Sequence, residues 1–374
     1  MKKILIISEG YFPKAGGLEK LVTELAESLR ADRGYEVDVI TSTRETICSQ
    51  DVVNGINITY VPLYVGHGKE KLFRELLYAG KIIWNQLKQE YDFVVLQYLG
   101  YLAGLFTFVN RKKIPYSISI HGTDVIGGRR KSIIEKMLMK KAVTGAKSVI
   151  SNSYYLGRQL EKTLGISITD KQTVIWNGIH LEKYDPDEAI TTNNTIVSVG
   201  RFVYKKGFDV LVDAFSRMKK QCPDARLILV GDGTERAKCE QLAEKLGILD
   251  SIVFLGLVDN KMIPSVMKQG RFFVLPSRNE PFGIVVLEAM ALGIPVIATD
   301  SGGVTEILDG GKFGCLIPTE DPDKMAECMI RFYEDDAQLE ELREKGLDRV
   351  KQFSMERVVS QYDQIIKKYA CSRH

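Results

Sequence analysis

Short β-branched runs alternate with helical patterns from one end of this 374-residue chain to the other. In the first half "KILIIS", "EVDVIT", "NITYVP", "FVVLQY", "YSISIH" and "SVISNS" read as strands, with amphipathic helices such as 19–30 and 132–143 between them. After "TVIWNGI" comes a polar stretch, 182–194, rich in Asp, Asn and Thr, which reads as a linker. Alternation resumes with "TIVSVG", "RLILVG", "IVFLGL", "FFVLPS" and "IPVIAT". Near-continuous apolar strands separated by helices require parallel sheets covered on both faces. The chain is also longer than the roughly 250–300 residues at which a single core stops growing. The expectation is an α/β protein of two doubly wound domains, 1–185 and 186–354, with ligands at the C-terminal ends of the strands.

Composition narrows the function classes. The start, "MKKILIISEG", reaches Glu9 too soon for a secretory leader and reads as a first strand. No apolar run approaches the roughly 18–20 residues that cross a bilayer. The six cysteines, 48, 222, 239, 315, 328 and 371, form no CxxC and no metal spacing, which suits a reduced, cytoplasmic protein. Net charge is +3, but residues 1–185 hold 26 Lys and Arg against 19 Asp and Glu, while the remainder holds 25 against 29. A basic first half favours an anionic partner. Helix-turn-helix, zinc and aromatic-basic signatures are all missing, so that partner is not nucleic acid. An anionic membrane surface or a phosphorylated acceptor fits the charge.

Four stretches at strand ends have the residue types for ligand chemistry. In "SEGYFPKAGGLEK", Gly16 and Gly17 precede a helix, where a backbone without Cβ approaches a ligand closely. In "ISIHGTDV", His121 closes an apolar strand and can exchange hydrogen bonds with a substrate hydroxyl. In "VGRFVYKKG", Arg201 and Lys206 make a double cation suited to a diphosphate, whose charge rises as it leaves. "RNEPFGIVVLEAM" sets Glu280 and Glu288 eight residues apart around a nearly all-apolar helix. A carboxylate there is costly without hydrogen-bond donors, which either a ligand's hydroxyls or a buried Arg or Lys would supply. Two Asp-Pro-Asp triplets, at 185–187 and 321–323, are centred on proline, and the second reads as a helix start rather than a metal site.

With these stretches in order, the chain resembles the family 4 retaining glycosyltransferases of the GT-B fold (glycosyl transferases group 1). The resemblance runs through "HGTD", "SNSYY", "WNGI", "GRFVYKKG", "LVGDG", "LPSRNEPFGIVVLEAMALGIPVIATDSGGVTEIL" and "DGGKFGCLIP". It implies two Rossmann-like domains facing each other across a cleft, the first binding the acceptor and the second a nucleotide-sugar. It also implies a C-terminal helix, 355–374, packed back on the first domain. By resemblance, Glu288 holds ribose hydroxyls and Glu280 contacts the donor sugar. Arg201 and Lys206 clamp the diphosphate with the backbone of Phe282, Gly283 and Ile284, in place of a metal. Val258 lies at the base, and Gly16, Gly17 and His121 line the sugar and acceptor side. His180 stands where relatives commonly carry aspartate.

The implied reaction moves a hexose from a UDP- or GDP-sugar to a hydroxyl of a lipid-linked or glycan acceptor, in polysaccharide or glycolipid biosynthesis. Catalytic roles fall to His121, Arg201, Lys206 and Glu280, with no metal or other cofactor. The expected setting is cytoplasmic, with peripheral contact at the inner face of an anionic membrane. Competing readings are a small soluble acceptor, a nucleotide-sugar 2-epimerase, and an inactive transferase-like binding subunit.

Overall fold

A computed structural model describes residues 1–10, 17–43, 45, 47–63, 69–126, 132–186 and 194–370. The chain divides into two compact units, 1–176 with 356–374, and 177–355.

The first unit is built on a sheet of eight strands. They are β1 (Lys3–Ser8), β2 (Glu36–Thr43), β3 (Ser49–Val53), β4 (Ile56–Pro62), β5 (Phe93–Gln97), β6 (Tyr116–Ile120), β7 (Ser148–Ser151) and β8 (Gln172–Val174). Their order is β3-β4-β2-β1-β5-β6-β7-β8, parallel except for the β3–β4 hairpin. Ile4, Leu5, Ile6 and Phe93 to Leu96 are buried on both faces of the sheet, which is why these strands lack a polar alternation. Among the described residues five helices connect them: α1 (Gly17–Ala31), α2 (Lys69–Gln86), α3 (Tyr101–Val109), α4 (Ile133–Gly145) and α5 (Tyr154–Leu164). The start of α4 is written in the sequence as a capping box, with Ser132 and Glu135 each satisfying the other's backbone N–H.

The second unit has six parallel strands: β9 (Thr195–Val199), β10 (Arg226–Val230), β11 (Ile252–Gly256), β12 (Phe272–Leu275), β13 (Val296–Thr299) and β14 (Cys315–Ile317). Its order, β11-β10-β9-β12-β13-β14, is 3-2-1-4-5-6 when counted within the unit. That order reverses direction between β9 and β12, and such a switch point opens a crevice at the C-terminal ends of the two strands. The helices are α6 (Phe208–Met218), α7 (Arg236–Lys245), α8 (Ile263–Met267), α9 (Ile284–Ala291), α10 (Val304–Ile307), α11 (Pro322–Glu334) and α12 (Asp336–Val350). The triplet at 321–323 does open a helix: Asp321 accepts from Lys324 N and Pro322 takes the first helical position. Asp187 of the other triplet lies outside the described residues.

Some features differ from the sequence reading. Strands β3, β8 and β14 were not anticipated; each is three to five residues long at or next to a sheet edge, too short or too exposed to show a period. The unit boundary falls at Trp176 rather than after Asp185. Ile179 bridges to Ser354, and Arg343 Nη2 donates to Pro186 O at 2.9 Å, which ties 177–186 to the second unit. Most of the polar stretch read as a linker lies outside the described residues. Cys315 of β14 and Cys328 of α11 face one another with their Cα atoms 7.4 Å apart, farther than an unstrained disulfide spans.

The last helix, α13 (Met355–Tyr369), supplies the first unit with part of its core. Val358, Val359, Tyr362, Ile365 and Ile366 are buried, Tyr362 hydroxyl meets Ser119 Oγ at 2.8 Å, and Tyr35 hydroxyl donates to Asp363 at 2.7 Å. Tyr362→Ala should lower the unfolding free energy by about 3–5 kcal/mol, the usual cost of emptying a buried aromatic site. The exposed Lys368→Ala should change it by less than about 0.5 kcal/mol. Denaturant melts of the two variants check this, and equal effects would mean that α13 is only loosely docked.

Candidate active site

The loops that leave β9 and β12 meet at the switch point. After β9 the chain passes Gly200 and Arg201, makes a single 3-10 turn over Tyr204–Lys206, and enters α6 through Gly207. Gly207 has φ +67°, and a Cβ there would lie 2.1 Å from the carbonyl oxygen of Pro276, which follows β12. Only glycine permits so close an approach. Two further bonds fasten the loops: Arg278 N donates to Lys205 O at 2.8 Å, and Arg278 Nη1 donates to Tyr204 O at 2.7 Å. The Arg278 guanidinium is held in turn by both oxygens of Asp209, each at 2.7 Å, and lies over the Tyr204 ring.

This bracing collects charge in a small volume. Lys206 Nζ donates to Glu280 Oε2 at 2.5 Å, and Ser277 Oγ donates to the same oxygen at 3.3 Å. Glu280 is buried, and its backbone is pinned to the loop after β13 through Glu280 N to Ser301 O and Gly303 N to Glu280 O. Arg201 is exposed, and among the described residues its guanidinium has no hydrogen bond or ion pair. Lys205, which the sequence reading did not single out, belongs to the same cluster. Its amine is pushed down by burial, then by repulsion from Lys206 and Arg201, and Glu280 offsets only part of this. Lys206 is bonded to the buried carboxylate while Lys205 and Arg201 lie close enough to repel, leaving an excess of positive charge for an anion.

The start of α9 adds backbone donors. Gly283 sits at φ +102° with the Val304 side chain packed against it, turning the chain sharply into the helix. Among the described residues the N–H groups of Phe282 and Gly283 have no backbone acceptor, and they lie at the positive end of the helix beginning at Ile284. One turn further on, Glu288 Oε1 accepts from the Tyr184 hydroxyl at 3.0 Å. A hydroxyl is thus one partner of this carboxylate. Val258 follows β11 at the same C-terminal edge of the sheet but outside this bonded cluster.

The first unit carries the remaining candidates. Gly17 opens α1; Gly16 lies outside the described residues. His121 follows β6, and its Nε2 lies 2.8 Å from Gln97 Oε1 at the end of β5. The amide holds the imidazole in place through this one ring nitrogen and leaves the other, Nδ1, outside the contact. Burial pushes the imidazole down, favouring its uncharged form, with Asp124 opposing. Asp124, fully buried, fixes this corner by accepting from the backbone N–H groups of His121, Gly122 and Leu99. Glu9 is not among the candidates that the sequence offers. It follows β1, accepts from Leu102 N at 3.4 Å, and is pushed up to about 7, mainly by burial. A carboxylate directly after an apolar strand was the available signal. His180 pairs with Glu182, Nδ1 to Oε1, at 2.8 Å.

Two family patterns match the chain in tandem: "Glycosyltransferase Family 4" over residues 15–183 and "Glycosyl transferases group 1" over 182–349. The chain belongs to the family 4 glycosyltransferases. Among relatives of this glycosyltransferase, the gpi3 subunit of phosphatidylinositol N-acetylglucosaminyltransferase from Schizosaccharomyces pombe is 29% identical over 84% of this chain and 70% of its own. N-acetyl-alpha-D-glucosaminyl L-malate synthase of Bacillus anthracis is 28% identical over 95% of this chain and 94% of its own. Anabaena HepE, solved in complex with UDP, superposes with a TM-score of 0.78 at 22% identity, covering 98% of this chain and all of that one. The fold is GT-B, with two Rossmann-like units.

Glu9 gives this glycosyltransferase a pH-dependent stability. Between its ordinary value of 4.5 and about 7, the folded state keeps a proton that the unfolded chain has lost. The contribution is complete below the lower value and is lost as pH rises through the higher one. Glu9→Gln should therefore show a smaller fall in Tm than the parent between about pH 5 and about pH 8. Scanning calorimetry at both pH values checks this; identical falls would place the shift elsewhere.

Proposed function

We propose that this glycosyltransferase moves a hexose from a nucleoside diphosphate sugar, with UDP- and GDP-sugars favoured, to a hydroxyl of a lipid-linked or glycan acceptor. The observation that carries the reading is the cluster of Arg201, Lys205 and Lys206 around Glu280 at the β9–β12 switch point. Such a cluster is suited to a diphosphate, and the donors at the start of α9 add to it. In this reading the ligand's phosphates displace Lys206 in part from Glu280, and ribose hydroxyls replace or join the Tyr184 hydroxyl on Glu288. The UDP bound by Anabaena HepE supports uracil as the base.

The reaction breaks the bond between the anomeric carbon and the diphosphate oxygen and forms one from that carbon to the acceptor oxygen. The acceptor's proton passes to the leaving phosphate, and a nucleoside diphosphate departs. Family resemblance supports retention of configuration, with entry on the face that the diphosphate leaves. Arg201, Lys205 and Lys206 meet the charge that grows on the leaving group, the role a divalent ion fills elsewhere. His121 offers its second ring nitrogen to a sugar or acceptor hydroxyl. The names of the relatives divide on the acceptor, phosphatidylinositol in one and L-malate in the other. The basic first half of the chain favours the lipid-linked class.

A screen of UDP-, GDP- and ADP-sugars for thermal stabilisation identifies the donor, since a ligand that binds only the folded state raises Tm. With that donor, Arg201→Ala and Lys206→Ala should each lower kcat/KM by at least about tenfold. Turnover should persist in a chelator. Near-normal kinetics in both folded variants would move the diphosphate elsewhere, and activity lost in chelator and restored by magnesium or manganese would make the site metal-dependent.

A further inference from the structure

The outward faces of α2 and α4 carry side chains that a solvated surface does not need. On α2 the exposed positions include Phe73, Leu77, Tyr78 and Trp84, interleaved with Arg74 and Lys81 and followed by Lys88 in the turn after the helix. They follow the helical repeat, Phe73, Leu77, Lys81 and Trp84 forming one stripe. On α4 the exposed positions are Ile133, Ile134 and Met137 with Lys136, Lys140 and Lys141; Ile133 is 80% exposed and Ile134 71%. Helix α3 packs between the two, Gly80 of α2 facing Leu105 and Gly104 of α3 facing Leu138 of α4. Its own exposed Phe108 lies under Lys141, whose Nζ is 3.5 Å from the ring centroid. The inner faces of all three helices share one core, so the outer faces look the same way.

Charge identifies what covers this face. The three helices hold only three acids, Glu70, Glu75 and Glu135. Glu135 is buried in its capping box, Glu75 is half-buried, and Glu70 lies in the first turn of α2, where the helix dipole accommodates it. Arg111, Lys112 and Lys113, all exposed, extend the cationic surface from the end of α3. A second copy of the chain would bring cations against cations across a two-fold interface. A surface of anionic headgroups over acyl chains meets both requirements, taking the lysines at headgroup level and the Phe, Leu, Trp and Ile side chains just below. Among the described residues no helix is long and apolar enough to cross a membrane, so the contact is with the surface.

We infer that the α2–α3–α4 face docks the first unit on an anionic lipid bilayer, with the lysines steering and the exposed apolar side chains inserting. This gives the lipid-linked acceptor of the proposed function a physical approach, but it stands on separate residues and is measured separately.

The test uses the full chain and vesicles of phosphatidylcholine alone or in equimolar mixture with phosphatidylglycerol. Flotation should occur with the anionic vesicles only and weaken as salt rises. The chain has two tryptophans, so Trp176→Phe leaves Trp84 as the single reporter, and its emission should shift to the blue on binding. Replacing Lys136, Lys140 and Lys141 together by Ala should weaken vesicle affinity on the order of a hundredfold, from the worth of each cation near an anionic surface. Phe73→Ser with Leu77→Ser should weaken it while leaving thermal stabilisation by UDP or GDP unchanged. No flotation with anionic vesicles at low salt overturns the proposal, as does flotation with an unshifted Trp84 and no effect of the lysine variant. Self-association in solution that Leu77→Ser abolishes would assign the face to a second copy instead. A chain that floats but is stabilised by no nucleoside diphosphate leaves this inference standing and overturns the functional one; the reverse result does the opposite.

Discussion

Two loops can share one anion site only if their backbones come close enough to point side chains into the same few ångströms, and here Gly207 sets that distance. With no Cβ it lies directly against the Pro276 carbonyl, where any other residue would collide at 2.1 Å. Arg278 then ties the two loops together through Lys205 O, Tyr204 O and Asp209. Lys206 and Glu280 reach one another because of this bracing, although 74 positions separate them in sequence. The sheet order matters for the same reason. β9 and β12 are neighbours whose connections run to opposite sides, so their C-terminal ends diverge into a crevice instead of being bridged by one crossover.

Electrostatics makes that crevice suited to a ligand rather than to stability. A buried ion pair such as Lys206–Glu280 gains little over an apolar pair of the same size, because both groups lose water. Adding Lys205 and Arg201 beside it raises the cost further, as the depressed Lys205 amine records. Such an arrangement repays its cost when an anion arrives. Glu280 neutralises Lys206 through this pair, and in the proposed function it would also accept from a sugar hydroxyl. Across the first unit the pattern is different. His121, Gln97 and Asp124 form a hydrogen-bonded corner without the excess of cations found in the second unit.

The fold was legible because buried parallel strands write themselves as unbroken apolar runs. "KILIIS" and "FVVLQY" are β1 and β5 almost to the residue. The site was legible in part. Arg201, Lys206 and Glu280 follow strand ends, which a doubly wound chain reserves for ligands, and the structure brings them within one cluster. Lys205 was missed because neighbours in sequence say nothing about which of two lysines turns inward. The Tyr184 partner of Glu288 was missed because a contact across 104 positions has no sequence period. The exposed face of α2 was ambiguous for a physical reason too: "LLYAGKIIW" holds Ala79 and Ile83 for the core and Leu77 and Trp84 for the outside, and only burial separates them.

The central claim is that the cations at the β9–β12 switch point recognise a diphosphate. Calorimetric titration of the nucleoside, its monophosphate and its diphosphate, all in chelator, measures this most directly. The account predicts that affinity rises at each step, by at least about tenfold from monophosphate to diphosphate, as expected for an added phosphate meeting several cations. Equal affinity for the nucleoside and its diphosphate would contradict it.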